Sequence, residues 1–275
     1  MVAFGFDTEG KEVVEAFIDQ VHGRTFLITG PTPSSIGAYT ALALAQGQPS
    51  TLILLGRSST TIQPLIDQIA HTSPNTRTLF FPLDLSSLTS VRSAAATILS
   101  HPSIPCIDVV INNAGIMAAP YTRTEDGFES QFALNHLGHF FLTNLLMPKV
   151  LAGEGMRVVN VSSYQNVFCD VLPDPGFEEG RTYNAFKATG RRAEILRRES
   201  RQAALDPNLS TKDSIFLDDC QPTTDPKLVA SYALSQSNAA RCWNLSEEMV
   251  HQKFNLAIYG LVQEYLTPES ESDWF

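Results

Sequence analysis

Short apolar runs alternate with longer stretches of helical rhythm along the first two-thirds of the chain. Residues 26–28, 52–55, 79–81, 107–111 and 158–161 read as strands. Between them, 36–45, 62–69, 91–99 and 128–150 carry the helical pattern. The strand runs are apolar throughout rather than alternating, which predicts strands buried on both faces of a parallel sheet. Regular strand–helix alternation implies right-handed βαβ units, and so an α/β fold with a doubly wound parallel sheet. The regularity stops after Ala188. Residues 189–210 read as one polar helix followed by a Pro/Asn turn, Ile215-Phe216-Leu217 as a further strand, and 243–254 as an amphipathic helix.

Composition narrows the partners. Lys and Arg number 19 against 29 Asp and Glu, a net charge of −10. That balance argues against a nucleic-acid backbone and against an anionic membrane surface. The one dense basic run, Arg191 to Arg201, is interleaved with Glu194 and Glu199 and reads as a solvated helix face. The four cysteines form no C-x-x-C pair, so reduced thiols are expected rather than a disulfide framework or zinc site. The first ten residues lack the basic start and apolar core of a signal peptide, and no apolar run reaches membrane-span length. A cytoplasmic protein acting on a small molecule is the expectation.

Candidate chemistry gathers at the strand ends. The first strand runs into Gly30-Pro31-Thr32-Pro33-Ser34-Ser35-Ile36-Gly37 and then a helix. A helix N-terminus offers unbonded N–H groups and a positive dipole end to a pyrophosphate. Gly30 permits the tight turn, and Gly37 permits close helix–sheet packing. An ordinary strand–turn–helix connection looks the same. After the second strand, an acidic residue would bind the ribose 2′-hydroxyl of NAD; Arg57 suits the 2′-phosphate of NADP(H) instead. A surface arginine in a βα loop is the plain alternative. Asp84 ends the third strand, where it suits an adenine contact or a helix cap.

Thr29-Gly30 to Gly37, Asp84-Leu85, Asn112-Asn113-Ala114-Gly115, Asn135-His136-Leu137-Gly138-His139-Phe140 and Asn160-Val161-Ser162-Ser163 occur in this order. Together they resemble the short-chain dehydrogenase/reductase superfamily. The closer likeness is to its retinol-dehydrogenase-like branch, including fungal members from secondary-metabolite pathways. The resemblance covers residues 20–188. It resumes at about 215–254, where Leu217-Asp218-Asp219-Cys220 and Leu245-Ser246-Glu247-Glu248 look like the family's C-terminal segment. It implies one NAD(P)-binding Rossmann domain over residues 1–275. It also implies NADP(H) held at Gly30, Ser35, Ile36, Gly37, Arg57, Asp84, Asn112, Ala114 and Gly115. One departure lies in the phosphate loop, where Ser35 replaces the family's middle glycine and the loop is one residue longer. A Cβ there pushes the pyrophosphate outward or demands another backbone path. His136 and His139 share an H-x-x-H spacing, but no carboxylate or cysteine cluster accompanies them and no metal is expected.

Reducing a carbonyl by hydride requires an acid for the developing alkoxide and donors that hold the carbonyl. The resemblance implies a Tyr acid, a Lys four residues on that favours phenolate and binds ribose, a Ser donor and an Asn that anchors a relay water. Asn135 and Ser163 match, with Ser162 one residue away. Tyr183 and Lys187 complete the tetrad as the Y-x-x-x-K of this region, and also touch the cofactor. A second register fits the same stretch. Tyr183-Asn184 then matches a pair upstream of the motif, and Thr189 and Ala193 fall on the Tyr and Lys positions. That register loses the acid and leaves a protein that binds cofactor or an intermediate without hydride transfer, a helper of isomerase- or cyclase-like kind. A sixth strand and the Pro-Gly turn beside the carboxamide are not found after 188, so residues 189–214 read as degenerate or shortened. The substrate and oligomeric state are not legible.

Overall fold

A computed structural model describes residues 4, 8–117, 119–161, 204–205, 216–218, 221–223, 225, 229 and 235–254. The chain opens with a short helix, α1 (Gly10–Ala16), and a 3₁₀ turn (Ile18–Gln20), then enters β1 (Thr25–Thr29). There follow α2 (Ile36–Gln46), β2 (Thr51–Gly56), α3 (Ser59–Thr72), β3 (Arg77–Pro82), α4 (Leu88–Ser100) and β4 (Val109–Asn112). The strands lie in the order β3-β2-β1-β4-β5, all neighbours parallel, with β5 at Arg157–Asn160. This is the doubly wound sheet expected from the apolar runs. Its order reverses between β1 and β4, and a cleft for ligands opens at the strand C-termini at such a reversal.

Both sheet faces are apolar because successive side chains point to opposite sides. Phe26, Ile28, Leu52, Leu54, Val109 and Ile111 pack with α2 and α3. Leu27, Ile53, Leu55 and Val110 pack with α4 and the long helix after β4. Ala38, Ala41 and Ala45 are buried on α2, and their small side chains let that helix lie close to the sheet. Ala204 and Leu205, inside the stretch read as degenerate, are fully buried against the α2 side.

Two expectations need correction. The helix at 128–150 is not one α-helix. It is a single turn, α5 (Ser130–Phe132), a π-helical turn (Ala133–Leu137) and α6 (Gly138–Val150). Glu129 caps its start by accepting from the N–H groups of Gln131 and Phe132. The strand expected near 215–217 is β6 (Phe216–Asp218), which pairs antiparallel with β7 (Gln221–Thr223). The last helix, α7 (Gln236–Met249), lies earlier than its apolar pattern suggested. Ser235 caps it by accepting from Asn238 N–H, and His251 turns left-handed at φ 51° just past its end. No described helix is long and apolar enough to cross a membrane.

Candidate active site

The C-terminal ends of β1, β2, β3 and β4 meet around the β1–α2 turn. Gly30 sits at φ 64°, and a Cβ on it would stand 2.8 Å from Ala114 Cβ. A Cβ on Gly37 would stand 2.5 Å from Asn113 Nδ2. Both glycines therefore let the turn lie flat on the Asn113-Ala114 peptide. Gly30 N–H donates to Leu55 O at 2.7 Å, and Leu83 N–H to Gly56 O at 2.9 Å, which brings Arg57 and Asp84 to the same edge.

Ser34 adopts the left-handed conformation at φ 64°. Ser35 is extended, and its Oγ accepts from Ala38 N–H at 3.1 Å as the N-cap of α2. Ile36 and Gly37 then stand at the first two helical positions, whose N–H groups have no partner within the helix. An anionic phosphate fits such a terminus. A dinucleotide pyrophosphate thus fits the residues present: the glycines clear its approach, and the α2 N-terminus faces it with free donors.

Around this turn, Arg57 is exposed and makes no ion pair among the described residues. Asp84 is half-buried; its Oδ1 accepts from Ser86 N–H at 2.9 Å and Ser86 Oγ at 2.6 Å. The cap of α4 is Ser87, not Asp84. Asn112 has a structural bond pattern, with Nδ2 donating to Thr143 Oγ1 at 3.1 Å and to Asn160 Oδ1 at 2.9 Å. Ala114 backs Gly30, and Gly115 is exposed beside Asn135.

Asn135 lies inside the π turn. Its Oδ1 accepts from Ile116 N–H at 2.9 Å, and its Nδ2 donates to Ile116 O at 3.0 Å. The side chain therefore clamps the loop after β4 on both sides of one residue. π turns inside α-helices occur mostly at functional sites. Ser163, Tyr183 and Lys187 lie outside the described residues, as do Thr189 and Ala193 of the second register.

Three residues of this site were named in the sequence without a role in it. Thr29 Oγ1 is fully buried and accepts from Asn113 N–H at 2.9 Å and Ala114 N–H at 3.0 Å. Asn113 Nδ2 donates to Thr29 O at 2.8 Å. His139 Nε2 lies 2.9 Å from Thr29 Oγ1. Burial pushes the His139 pKa down to about 4, with a smaller lowering from His136 and an opposing effect of its bond to Asn135. The sequence signal was present: Asn135, His139 and Thr143 recur every fourth residue along the helix.

The model of the short chain dehydrogenase family matches residues 24–171, more than half of the chain. The chain belongs to the short-chain dehydrogenase family. The match takes in the turn, Asn135 and Ser163, and ends ahead of Tyr183 and Lys187. This short-chain dehydrogenase is 39% identical to retinol dehydrogenase 13 from Homo sapiens over 164 residues, 60% of this chain and 48% of that protein. It is 35% identical to oxidoreductase fscI from Fusarium equiseti over 165 residues, 58% of this chain and 63% of that one. The chain thus spans about half the length of the retinol dehydrogenase it matches. An uncharacterised protein from Mycobacterium Paratuberculosis superposes on it with a TM-score of 0.65 at 27% identity, covering 86% of this chain and 96% of that one.

Proposed function

We propose that the chain is an NADP(H)-dependent oxidoreductase that interconverts a carbonyl and an alcohol on a hydrophobic small molecule, in secondary metabolism. The observation that carries this reading is the β1–α2 turn, with Gly30 and Gly37 against Asn113-Ala114 and the α2 N-terminus open beside Arg57. Ser35, Ile36 and Gly37 hold the pyrophosphate, Arg57 the 2′-phosphate and Asp84 the adenine. A nicotinamide dinucleotide bound there supplies or accepts the hydride.

The chain's own residues manage the proton. Tyr183 donates it to the carbonyl oxygen during reduction and takes it back during oxidation. Lys187 stabilises the phenolate and binds the ribose, since a nearby cation favours the charged form. Ser163 donates a hydrogen bond to the same carbonyl oxygen, and Asn135 anchors the relay water. The match to oxidoreductase fscI supports oxidoreductase chemistry, and the retinol dehydrogenase match supports a hydrophobic substrate. The helper reading draws on the Tyr183-Asn184 pair. One assay separates the two: NADPH consumption with a panel of hydrophobic aldehydes and ketones. Substrate-dependent oxidation that disappears in Tyr183→Phe supports the oxidoreductase. Tight NADPH binding without turnover on any of them contradicts it and favours the helper.

A further inference from the structure

Buried polar side chains run along the sheet-facing side of the long helix. Thr143 accepts from Asn112, His139 meets Thr29, and Asn135 clamps Ile116. Gln131, one turn earlier, is fully buried, and neither atom of its amide has a hydrogen-bond partner among the described residues. Among these, His139 touches two pieces of the site at once. Its Nε2 is 2.9 Å from Thr29 Oγ1, and its Nδ1 is 3.3 Å from Asn135 O.

The hydrogen bonds fix its tautomer. A hydroxyl has one proton and two lone pairs. Both lone pairs of Thr29 Oγ1 take backbone N–H groups, those of Asn113 and Ala114. Its proton therefore goes to His139, so Nε2 is bare and accepts. The ring proton is on Nδ1 and donates to the Asn135 carbonyl. A second ring proton would sit on Nε2, facing an oxygen with no lone pair left.

We propose that His139 is a positioning residue that couples the dinucleotide turn to the π turn at Asn135. The proposal rests on the dinucleotide-binding reading above. By accepting the Thr29 proton, His139 aims both lone pairs of that hydroxyl at the Asn113-Ala114 peptide. That peptide is the floor on which Gly30 and Gly37 lie. By donating to Asn135 O, the same ring holds the residue whose side chain fixes the loop after β4. Loss of the imidazole frees the hydroxyl to rotate and loosens floor and π turn together.

The test is NADPH binding to the full chain, followed by nucleotide fluorescence, with melting recorded for every variant. His139→Leu weakens binding by about tenfold, the loss expected for one buried hydrogen bond, and Thr29→Val, which removes that bond together with those from Asn113 and Ala114, weakens it further. The double variant binds no more weakly than Thr29→Val alone, because both break one link. Thr29→Ser, which keeps the hydroxyl, binds like wild type. A His139→Leu chain that melts lower but binds NADPH as tightly as wild type shows a purely structural role and overturns the proposal. Nitrogen-15 NMR of the wild-type imidazoles keeps it testable if variants fail to fold. His139 shows the Nδ1–H tautomer in the free chain, and its signals move when NADPH saturates. An Nε2–H ring, or signals that stay still at saturation, overturns the proposal. Wild-type chain that binds neither NADPH nor NADH removes the dinucleotide reading and this proposal with it. Tight binding by both wild type and His139→Leu removes the proposal alone.

Discussion

The two sides of the long helix from Ser130 to Val150 are built from different chemistry. The side toward the sheet carries Asn135, His139 and Thr143, each bonded to a different strand end or loop. The outward side is aromatic. There Phe140 meets Trp243 at 4.9 Å and Phe254 at 5.8 Å, and so receives α7 and the residues after it. Each side holds one histidine, His139 buried and His136 half-buried, and the two have opposite tautomers. His136 Nε2 lies 2.8 Å from Ser246 Oγ, whose own proton goes to Cys242 O at 2.8 Å. His136 therefore donates from Nε2, whereas His139 accepts there. An H-x-x-H spacing that suggests a metal pair is two separate hydrogen-bonded latches. One ties the helix to the dinucleotide turn and the other ties it to the C-terminal helix.

Predictions that break or sharpen this contrast run from large effects to small. Tyr183→Phe lowers carbonyl-dependent NADPH oxidation by about 10²–10⁴-fold, the usual value of a positioned proton donor, with NADPH affinity retained. Steady-state rates beside a binding titration check both halves. Phe140→Ala, on the aromatic side, costs about 3 kcal/mol by leaving a cavity under α7. Urea unfolding measures it, and NADPH affinity of the folded variant stays near wild type because the latch to the turn lies on the other side.

The histidines also impose a pH dependence. His139 titrates at about 4 in the folded chain against an ordinary 6.5, because burial disfavours its charged form. Below pH 6.5 the unfolded chain takes up a proton that the folded chain refuses. The stability is therefore full above pH 6.5 and falls as pH drops toward 4, by roughly 3 kcal/mol from this group. His136 is shifted in the same direction by burial and steepens the fall. Unfolding free energy measured from pH 7 to 4 shows this limb, and His139→Gln flattens it. Arg57→Ala is the mildest change. It weakens NADPH by about tenfold, the effect of one charge-assisted contact, and leaves NADH unchanged.

Much of this was legible in the chain. The strands and their parallel order followed from apolar runs such as Leu52–Leu55, which the sheet buries on both faces. The Gly30–Gly37 turn stood out by residue type, and Asn135 through the resemblance to the family. The π turn did not, because its wider winding leaves no mark in a pattern read at helical period. Ser34 taking the left-handed backbone was likewise hidden, because a serine does not mark a positive φ in the sequence as a glycine does. His139 was visible as a spacing, but its role depended on Thr29, 110 residues away in sequence.

The central claim is that the β1–α2 turn binds a dinucleotide. Fluorescence titration of NADPH and NADH against wild type and Gly37→Leu tests it most directly, since a side chain on Gly37 meets Asn113 within 2.5 Å. The account predicts saturable one-site binding to wild type, tighter for NADPH than for NADH, and none to folded Gly37→Leu. Equal binding by both chains, or no saturation by wild type, contradicts it.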